Sequence, residues 1–129
     1  MASPEAWIRA TIEAESGVDA YPMVCPEGTV PPFIIYSRAS TARERALDGT
    51  LGAPAGQFDV EIYCDSYSAG KDLAALLVGS LVDFEGTANG VTILSTDITE
   101  ESDGQPVFLD GRDVPTYVVS QSYLINWQE

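Results

Sequence analysis

The stretch QFDVEIYCDSYSAGKDLAALLVGSLVDF, residues 57–84, says most about how this chain folds. Its first nine residues alternate between polar and apolar side chains, which is the period of two that a half-buried strand requires. After the turn Ser66-Tyr67-Ser68, apolar residues recur at helical spacings, at Leu73, Leu76, Leu77, Leu81 and Phe84. The pattern predicts a strand followed by a helix that packs on the strand's apolar face. Neither segment offers a catalytic side chain.

The composition indicates one domain, spanning residues 1–129, with enough apolar content (45%) for a single core. Twenty acidic residues against six basic ones give a net charge of −14. Such a charge disfavours sequence-independent binding to nucleic acid or to an anionic membrane. No apolar run approaches the ~20 residues that span a bilayer, and the first residues lack the features of a signal peptide. We therefore expect a soluble protein made in the cytosol.

The sequence contains no histidine. This removes the commonest general base, the Ser-His-Asp and Cys-His nucleophile systems and the usual zinc ligand. Cys25 and Cys64 match neither a metal-binding spacing nor a disulfide framework, so we predict two free thiols. An enzyme would have to rely on carboxylates, lysine or tyrosine. We expect no catalytic residue, no cofactor and no metal, and a protein that is not an enzyme.

The remaining pattern predicts an α+β fold: a mostly antiparallel sheet of four to five strands with two helices packed on it. Ser3, Pro4 and Glu5 form a good helix start, and that helix should end near Gly17. Further strands are predicted at Val18–Tyr21, Phe33–Arg38, Val91–Thr99 and Val114–Trp127, the second of them near the middle of the sheet. Gln121 interrupts the apolar face of the last strand.

Two long connections carry the charged residues that we consider candidates for contacts with partners or neighbouring subunits. Ala39–Gly56, rich in glycine, is typical of a flexible connection and contains Arg43 and Arg45, the one locally positive segment. Glu100–Asp113 is predicted to be a long hairpin loop between the last two strands that projects into water or meets a basic partner. The candidate acidic contacts in this loop are Glu100, Glu101, Asp103, Asp110 and Asp113.

Two chemical alternatives receive little support from the residues. The acidic loop could bind Ca²⁺, but it lacks the alternating ligands and the closing glutamate of an EF-hand loop. Asp59, Glu61 and Asp65 share the outward face of one strand, so a carboxylate hydrolase is conceivable. That activity would require a deep acidic pocket, for which the sequence gives no argument.

The order of short motifs along the chain resembles the tail completion proteins of long-tailed bacteriophages, also called tail terminators or head-tail joining proteins. The resemblance covers roughly Val18 to Leu81, and the closing strands match only in their general order. Its motifs are VDAYP at 18–22, Pro26, PFIIY at 32–36, Asp48-Gly49, FDVEIY at 58–63 and the helix Ala69–Leu81. The strong acidity and the long Glu100–Asp113 loop depart from the usual pattern.

The resemblance implies a virion protein that assembles as a ring, commonly of six copies. Such a ring caps the tail tube at its head-proximal end, docks it to the head connector and lets DNA pass without binding it specifically. Its partners are then the tube protein, the connector and further copies of the chain, with no membrane involved. We expect Asp59, Glu61 and Asp65, or else the Glu100–Asp113 loop, to line the channel. The alternative is an acidic adaptor or inhibitor that mimics nucleic acid and binds a basic protein.

Overall fold

The computed structural model describes residues 3–43, 54–109 and 113–128. Two helices and six strands follow one another along these ranges. They are α1 (Pro4–Ser16), β1 (Ala20–Pro22), β2 (Phe33–Ala42), β3 (Ala55–Cys64), α2 (Tyr67–Leu81), β4 (Gly86–Ala88), β5 (Val91–Asp103) and β6 (Tyr117–Gln128). None of the helices in the described ranges is long and apolar enough to cross a membrane.

The strands form one sheet in the order β1-β2-β3-β6-β5-β4. Every neighbouring pair is antiparallel except β1 and β2, which are parallel. The α+β class is confirmed, but the expected count of four to five strands is too low. The additional strand is β4, which could not be predicted because Gly86-Thr87-Ala88 is too short to show an alternating pattern.

Both helices pack on the same side of the sheet, which we call the helix face; the other side we call the open face. The core lies between the helices and the helix face. Its largest members include Trp7, Ile8 and Ile12 from α1, Leu77 and Leu81 from α2, and Phe58, Ile62, Tyr123, Ile125 and Trp127 from the strands. The helices therefore leave the open face uncovered.

The helix that follows β3 begins and ends close to its prediction. Ser66 caps it by accepting a 3.2 Å hydrogen bond from the Ala69 N–H. Leu77 and Leu81 are buried as expected, but Leu76 is 41% exposed, so its place in the apolar stripe was wrong. Phe84 lies beyond the helix and packs on Trp7, with 4.9 Å between the ring centroids.

Two strands are longer than the sequence indicated. β2 continues to Ala42 rather than ending at Arg38, and its last residues pair with the start of β3. β5 continues to Asp103, so Glu100, Glu101 and Asp103 belong to a strand and not to a projecting loop. Pairing with β6 engages the backbone on one side of this segment, while its carboxylates remain exposed to water. The connection between β5 and β6 is correspondingly shorter and contains an isolated bridge between Val107 and Thr116.

The strand β2 lies second from one edge of the sheet, not in its middle. Its first residues are nevertheless buried on both faces, as the apolar run indicated. Ile34 belongs to the core, whereas Phe33 is buried on the open face, where its ring stacks on Tyr63 at 4.7 Å. Cys25 and Cys64 are free thiols, as predicted.

An ion pair fastens the start of α1 to β2. Arg38 Nε and Nη2 donate hydrogen bonds of 2.7 and 2.8 Å to the two carboxylate oxygens of Glu5. The guanidinium also lies 4.8 Å from the centre of the Trp127 ring. Partial burial acts to raise the pKa of the Glu5 carboxyl, but the hydrogen bonds and the charge of Arg38 act against it and the pKa is lowered overall.

Candidate functional site

The open face carries rows of carboxylates and hydroxyls across its four central strands. The strand register places Ser37, Asp59, Ser122 and Glu100 side by side in one row. The adjoining row continues with further polar side chains, Glu61, Ser120 and Ser102. Together these side chains line a groove on the open face. The sheet thus brings together carboxylates from β3 and β5, strands that are not neighbours.

Hydrogen bonds hold several of these side chains in place. The Ser122 hydroxyl donates a 2.8 Å hydrogen bond to Asp59 Oδ1. Further along the same face, Gln57 Nε2 donates to Thr99 Oγ1 at 2.8 Å. Asp97, opposite Leu124, adds another carboxylate to the face and accepts a hydrogen bond from the Ile98 N–H. The face is therefore an ordered polar surface with a negative charge.

Three basic side chains of the described ranges form ion pairs away from these rows. Arg9 on α1 pairs with Glu13 at 3.6 Å, and Arg38 pairs with Glu5 on the helix face. Lys71 on α2 pairs with Asp103 at 3.0 Å. These three cations therefore do not neutralise the carboxylates of the rows. The residues that face the groove make it acidic and hydroxyl-rich.

The structure separates the three acids that we expected to act together on β3. Asp59 and Glu61 lie on the open face and line the groove. Asp65 is exposed and lies just beyond the end of β3, next to the cap of α2. Glu100, expected in a separate loop, instead joins Asp59 and Glu61. Which residues line a channel stays a prediction.

Glu101 points to the opposite side of the sheet from Glu100 and belongs to a network around Gln121. Gln121 is 1% exposed, and its Nε2 donates to the backbone oxygen of Ala74 at 2.9 Å and to Glu101 Oε2 at 2.6 Å. Its Oε1 accepts a 2.6 Å hydrogen bond from the Tyr123 hydroxyl. Burial raises the pKa of Tyr123, so this hydroxyl stays protonated and donates. Gln121 therefore interrupts the apolar face because it joins β6 to α2 and β5.

Asp103 forms a second contact between β5 and α2. Its carboxylate accepts hydrogen bonds from the Tyr67 hydroxyl at 2.7 Å and from Lys71 Nζ at 3.0 Å. These bonds lower the pKa of Asp103, and the bond to Asp103 raises the pKa of both Tyr67 and Lys71. Asp103 thus joins the end of β5 to the start of α2, and its role as a contact for a partner stays a prediction.

The other candidate contact residues are placed as follows. Arg43 is exposed directly after β2, and Asp113 is exposed in the connection between β5 and β6. Arg45 and Asp110 lie outside the described residues. Within the described ranges, no three acidic or cysteine side chains stand close enough to hold a metal ion.

Sequence reasoning found the acids of the open face but missed the serines between them. Ser37, Ser120 and Ser122 come from different strands, and only the register of the sheet brings them beside Asp59 and Glu61. One signal was available in residues 119–127: the polar Ser120, Ser122 and Asn126 lie at even positions, whereas the odd positions are apolar except for Gln121. That alternation shows which positions share a face but not which strand lies next to them.

Comparison with known proteins shows that solved structures share this fold. No protein-family model and no curated protein matches the chain. Twenty-one chains of solved structures do match. One belongs to the virion of a native gene transfer agent particle; the match has a TM-score of 0.60 and 15% identity and covers 93% of this chain and 86% of that one. A second chain, whose name describes no function, gives a TM-score of 0.52 and 18% identity, with 100% and 99% covered.

Proposed function

We propose that this chain is a structural subunit of a phage-like virion. In this proposal it forms a ring at the head-proximal end of the tail, ends the tail tube and joins it to the head connector. DNA passes through the hole of the ring. The chain performs no catalysis and needs no cofactor.

Two independent comparisons support a virion role. The fold is shared with a chain of a gene transfer agent virion over most of both lengths. The motif order from Val18 to Leu81 resembles tail completion proteins, which occupy the junction between tail and head. The likeness of the structures supports the fold, and the resemblance of the motifs supports the position in the particle.

The observation that carries the proposal is the acidic open face. Asp59, Glu61 and Glu100 lie on a sheet surface that neither helix covers, and the ion pairs of Arg9, Arg38 and Lys71 lie away from it. A lysine or arginine side chain that pairs with a phosphate releases counterions and so adds affinity for DNA, which would slow DNA in transit. The carboxylates of this surface repel phosphates instead. We therefore place the open face, with Asp65 near its end, toward the lumen.

The charge of the subunit has a consequence for assembly. Each copy carries a net charge of −14, so bringing copies together is opposed by repulsion. Ions screen this repulsion over about 10 Å at 0.1 M salt. Ring formation should therefore require salt, divalent cations or the tube end as a template. Arg43, with Arg45, would reach an acidic patch on the next subunit.

Purified tails provide the test. The protein should bind one end of isolated tail tubes and stop their growth, which electron microscopy and tube-length distributions would show. A variant carrying Asp72→Lys on the exposed side of α2 changes the net charge but not the open face, so it serves as a control for net charge. Failure to bind either tube end at any ionic strength would contradict the proposed function.

The acidic face also suits a second candidate function, inhibition of a basic DNA-binding protein by mimicry of nucleic acid. The observation in its favour is the series of carboxylates on one surface, at Asp59, Glu61, Asp97 and Glu100. A mimic would ignore tails and would compete with DNA for a basic protein. The tail-binding experiment therefore separates the two.

A further inference from the structure

The sheet has two edge segments without a partner strand in the described part of the chain. β4 pairs with β5 only at Val91–Ile93, and the Asp83 N–H reaches Thr96 O at 3.3 Å. Beyond that point, no described strand pairs with the outer edge of β5 over Asp97–Asp103. At the other side of the sheet, β1 pairs with β2 only opposite Ile34, Ile35 and Tyr36. The outer edge of β2 over Ser37–Ala42 likewise has no described partner strand.

The backbone groups of β2 that face outward can be assigned. The Ile34 N–H donates to Asp19 O at 3.0 Å, and Tyr36 O accepts from the Met23 N–H at 2.9 Å. Along an antiparallel strand, the backbone N–H and C=O groups of successive residues point to opposite sides of the strand. Arg38 is therefore the next residue after Tyr36 whose backbone groups point away from β3. The register shifts between Arg38 and Ser40, and after this bulge the series continues at Thr41. Arg38 and Thr41 therefore direct backbone donors and acceptors away from β3, toward an edge that has no partner strand in the described part of the chain and could be a template for another strand.

The two edges match in length and direction. Each spans about 20 Å at the rise of an extended strand. β2 and β5 run in opposite directions, because three successive antiparallel pairs separate them in the sheet. In a ring of identically oriented copies, β5 of one copy would lie antiparallel to β2 of the next. Antiparallel pairing is the more stable arrangement per residue.

Charge selects which edges can meet. The β5 edge carries four carboxylates, at Asp97, Glu100, Glu101 and Asp103, whereas the β2 edge segment SRASTA carries none. Two β5 edges would place like charges opposite one another, which is destabilising. Two β2 edges would close a dimer and leave both β5 edges unused. A contact from β5 to β2 uses both edges and is head-to-tail, the type of contact that generates rings.

We propose that the β5 edge (Asp97–Asp103) pairs with the β2 edge (Ser37–Ala42) of a second copy of this chain. The sheet then continues from subunit to subunit, and the open faces form one acidic wall. This inference rests on the proposed ring and names the surfaces that build it. The acids of β5 discourage pairing in the free protein at low salt, as charged residues do on other sheet edges.

Cross-linking of the full-length chain tests the pairing. In a Cys25→Ser background, Ser40→Cys and Glu100→Cys place one thiol on each edge, and a short bismaleimide joins thiols that lie close. At high ionic strength, or on tail ends, the double variant should give a ladder of cross-linked species up to the closed ring. The matched control, Glu15→Cys with Asp72→Cys on the helices, should give none.

Each result has a distinct meaning. Rings that form without cross-links between the edges would overturn the pairing but leave the proposed function intact. Absence of self-association under every condition, including on tails, would overturn both. Cross-linked dimers from Ser40→Cys alone would show that β2 pairs with β2, which contradicts the proposal.

A charge variant gives a second measurement that needs no cross-linker. Ser40→Glu adds a carboxylate to the β2 edge, so assembly should require a higher ionic strength than in the unmodified chain. Ser80→Glu makes the same change on α2 and should have the smaller effect. Equal shifts in the two variants would indicate net charge alone and would contradict edge pairing.

Discussion

The Tyr123 hydroxyl donates a 2.6 Å hydrogen bond to Oε1 of Gln121, and both residues are buried on the helix face. Since Gln121 Nε2 is also bonded to the Ala74 carbonyl and the Glu101 carboxylate, one amide joins three elements. A buried polar group left without a partner costs more than the bond itself contributes. The amide therefore fixes the position of α2 on the sheet.

We predict that Gln121→Leu lowers the free energy of unfolding by about 2 kcal/mol, because the Tyr123 hydroxyl and the Ala74 carbonyl lose their partner. Tyr123→Phe alone should cost about 1 kcal/mol. The double variant should be less destabilised than the sum of the two single ones, since it removes both ends of one bond. Urea denaturation measures all three, and additive losses would show that the two residues are not coupled.

The ion pair between Glu5 and Arg38 predicts a pH dependence. The pKa of Glu5 is lowered in the folded chain, so its contribution is complete above the pKa of an unfolded glutamate, about 4.3, and is lost as the pH falls through the folded value. Glu5→Gln should cost about 1 kcal/mol at neutral pH, allowing for solvent screening, and progressively less as the pH falls below the pKa of an unfolded glutamate.

Chemical denaturation of the unmodified chain and of Glu5→Gln across this pH range measures the difference. Arg9→Ala, which breaks the exposed pair with Glu13, is the matched control and should cost less than about 0.5 kcal/mol. A difference between the unmodified chain and Glu5→Gln that does not change with pH would exclude this role for Glu5.

Replacing each of two glycines with alanine should change the stability of the fold in opposite directions. A Cβ at Gly56 would lie 2.6 Å from Phe58 Cε2 and 2.9 Å from Trp127 Cζ3, inside the packed core, so Gly56→Ala should cost about 2 kcal/mol. A Cβ at Gly79 in α2 would meet nothing within 4 Å, so Gly79→Ala should stabilise the helix by about 0.5–1 kcal/mol. Thermal unfolding compares both with the unmodified chain, and a destabilised Gly79→Ala variant would contradict the described packing.

The repulsion of phosphates by the open face can be reversed. Asp59→Lys with Glu61→Lys should convert assembled rings from weak to measurable DNA binders, with an affinity that falls steeply as salt increases. The control, Glu15→Lys with Asp72→Lys, makes the same change in net charge on the helices. Fluorescence anisotropy with a DNA duplex compares the two. Equal affinity in both variants would indicate that the open face has no special access to DNA.

The sequence predicted a helix or strand well where the pattern of its own residues shows which of its sides is buried. The alternation in residues 57–65 and the spacing of Leu77 and Leu81 correctly predicted β3 and α2, because periodicity depends only on which side of an element is buried. The end of β5 was missed for the same reason: Glu100 and Glu101 are adjacent and both charged, so no alternation marks the strand. Their pairing with Ser122 and Gln121 is a property of the neighbouring strand.

The candidate site could be predicted only in part. Asp59 and Glu61 lie on one strand, so their common face follows from the sequence. The approach of Glu100 and of the serines depends on register across the sheet, which the sequence of a single strand does not specify. The ion pair between Glu5 and Arg38 also depends on tertiary packing, since 33 positions separate the two residues.

Electron cryomicroscopy of the protein bound to tail ends would show directly whether the copies form a ring and which face lines its hole. We predict a closed ring around a hole wide enough for a DNA duplex, with Asp59 and Glu61 of every copy facing that hole. A map in which these two carboxylates lie on the outer rim, or in which single copies sit on the particle without touching one another, would contradict the proposed ring.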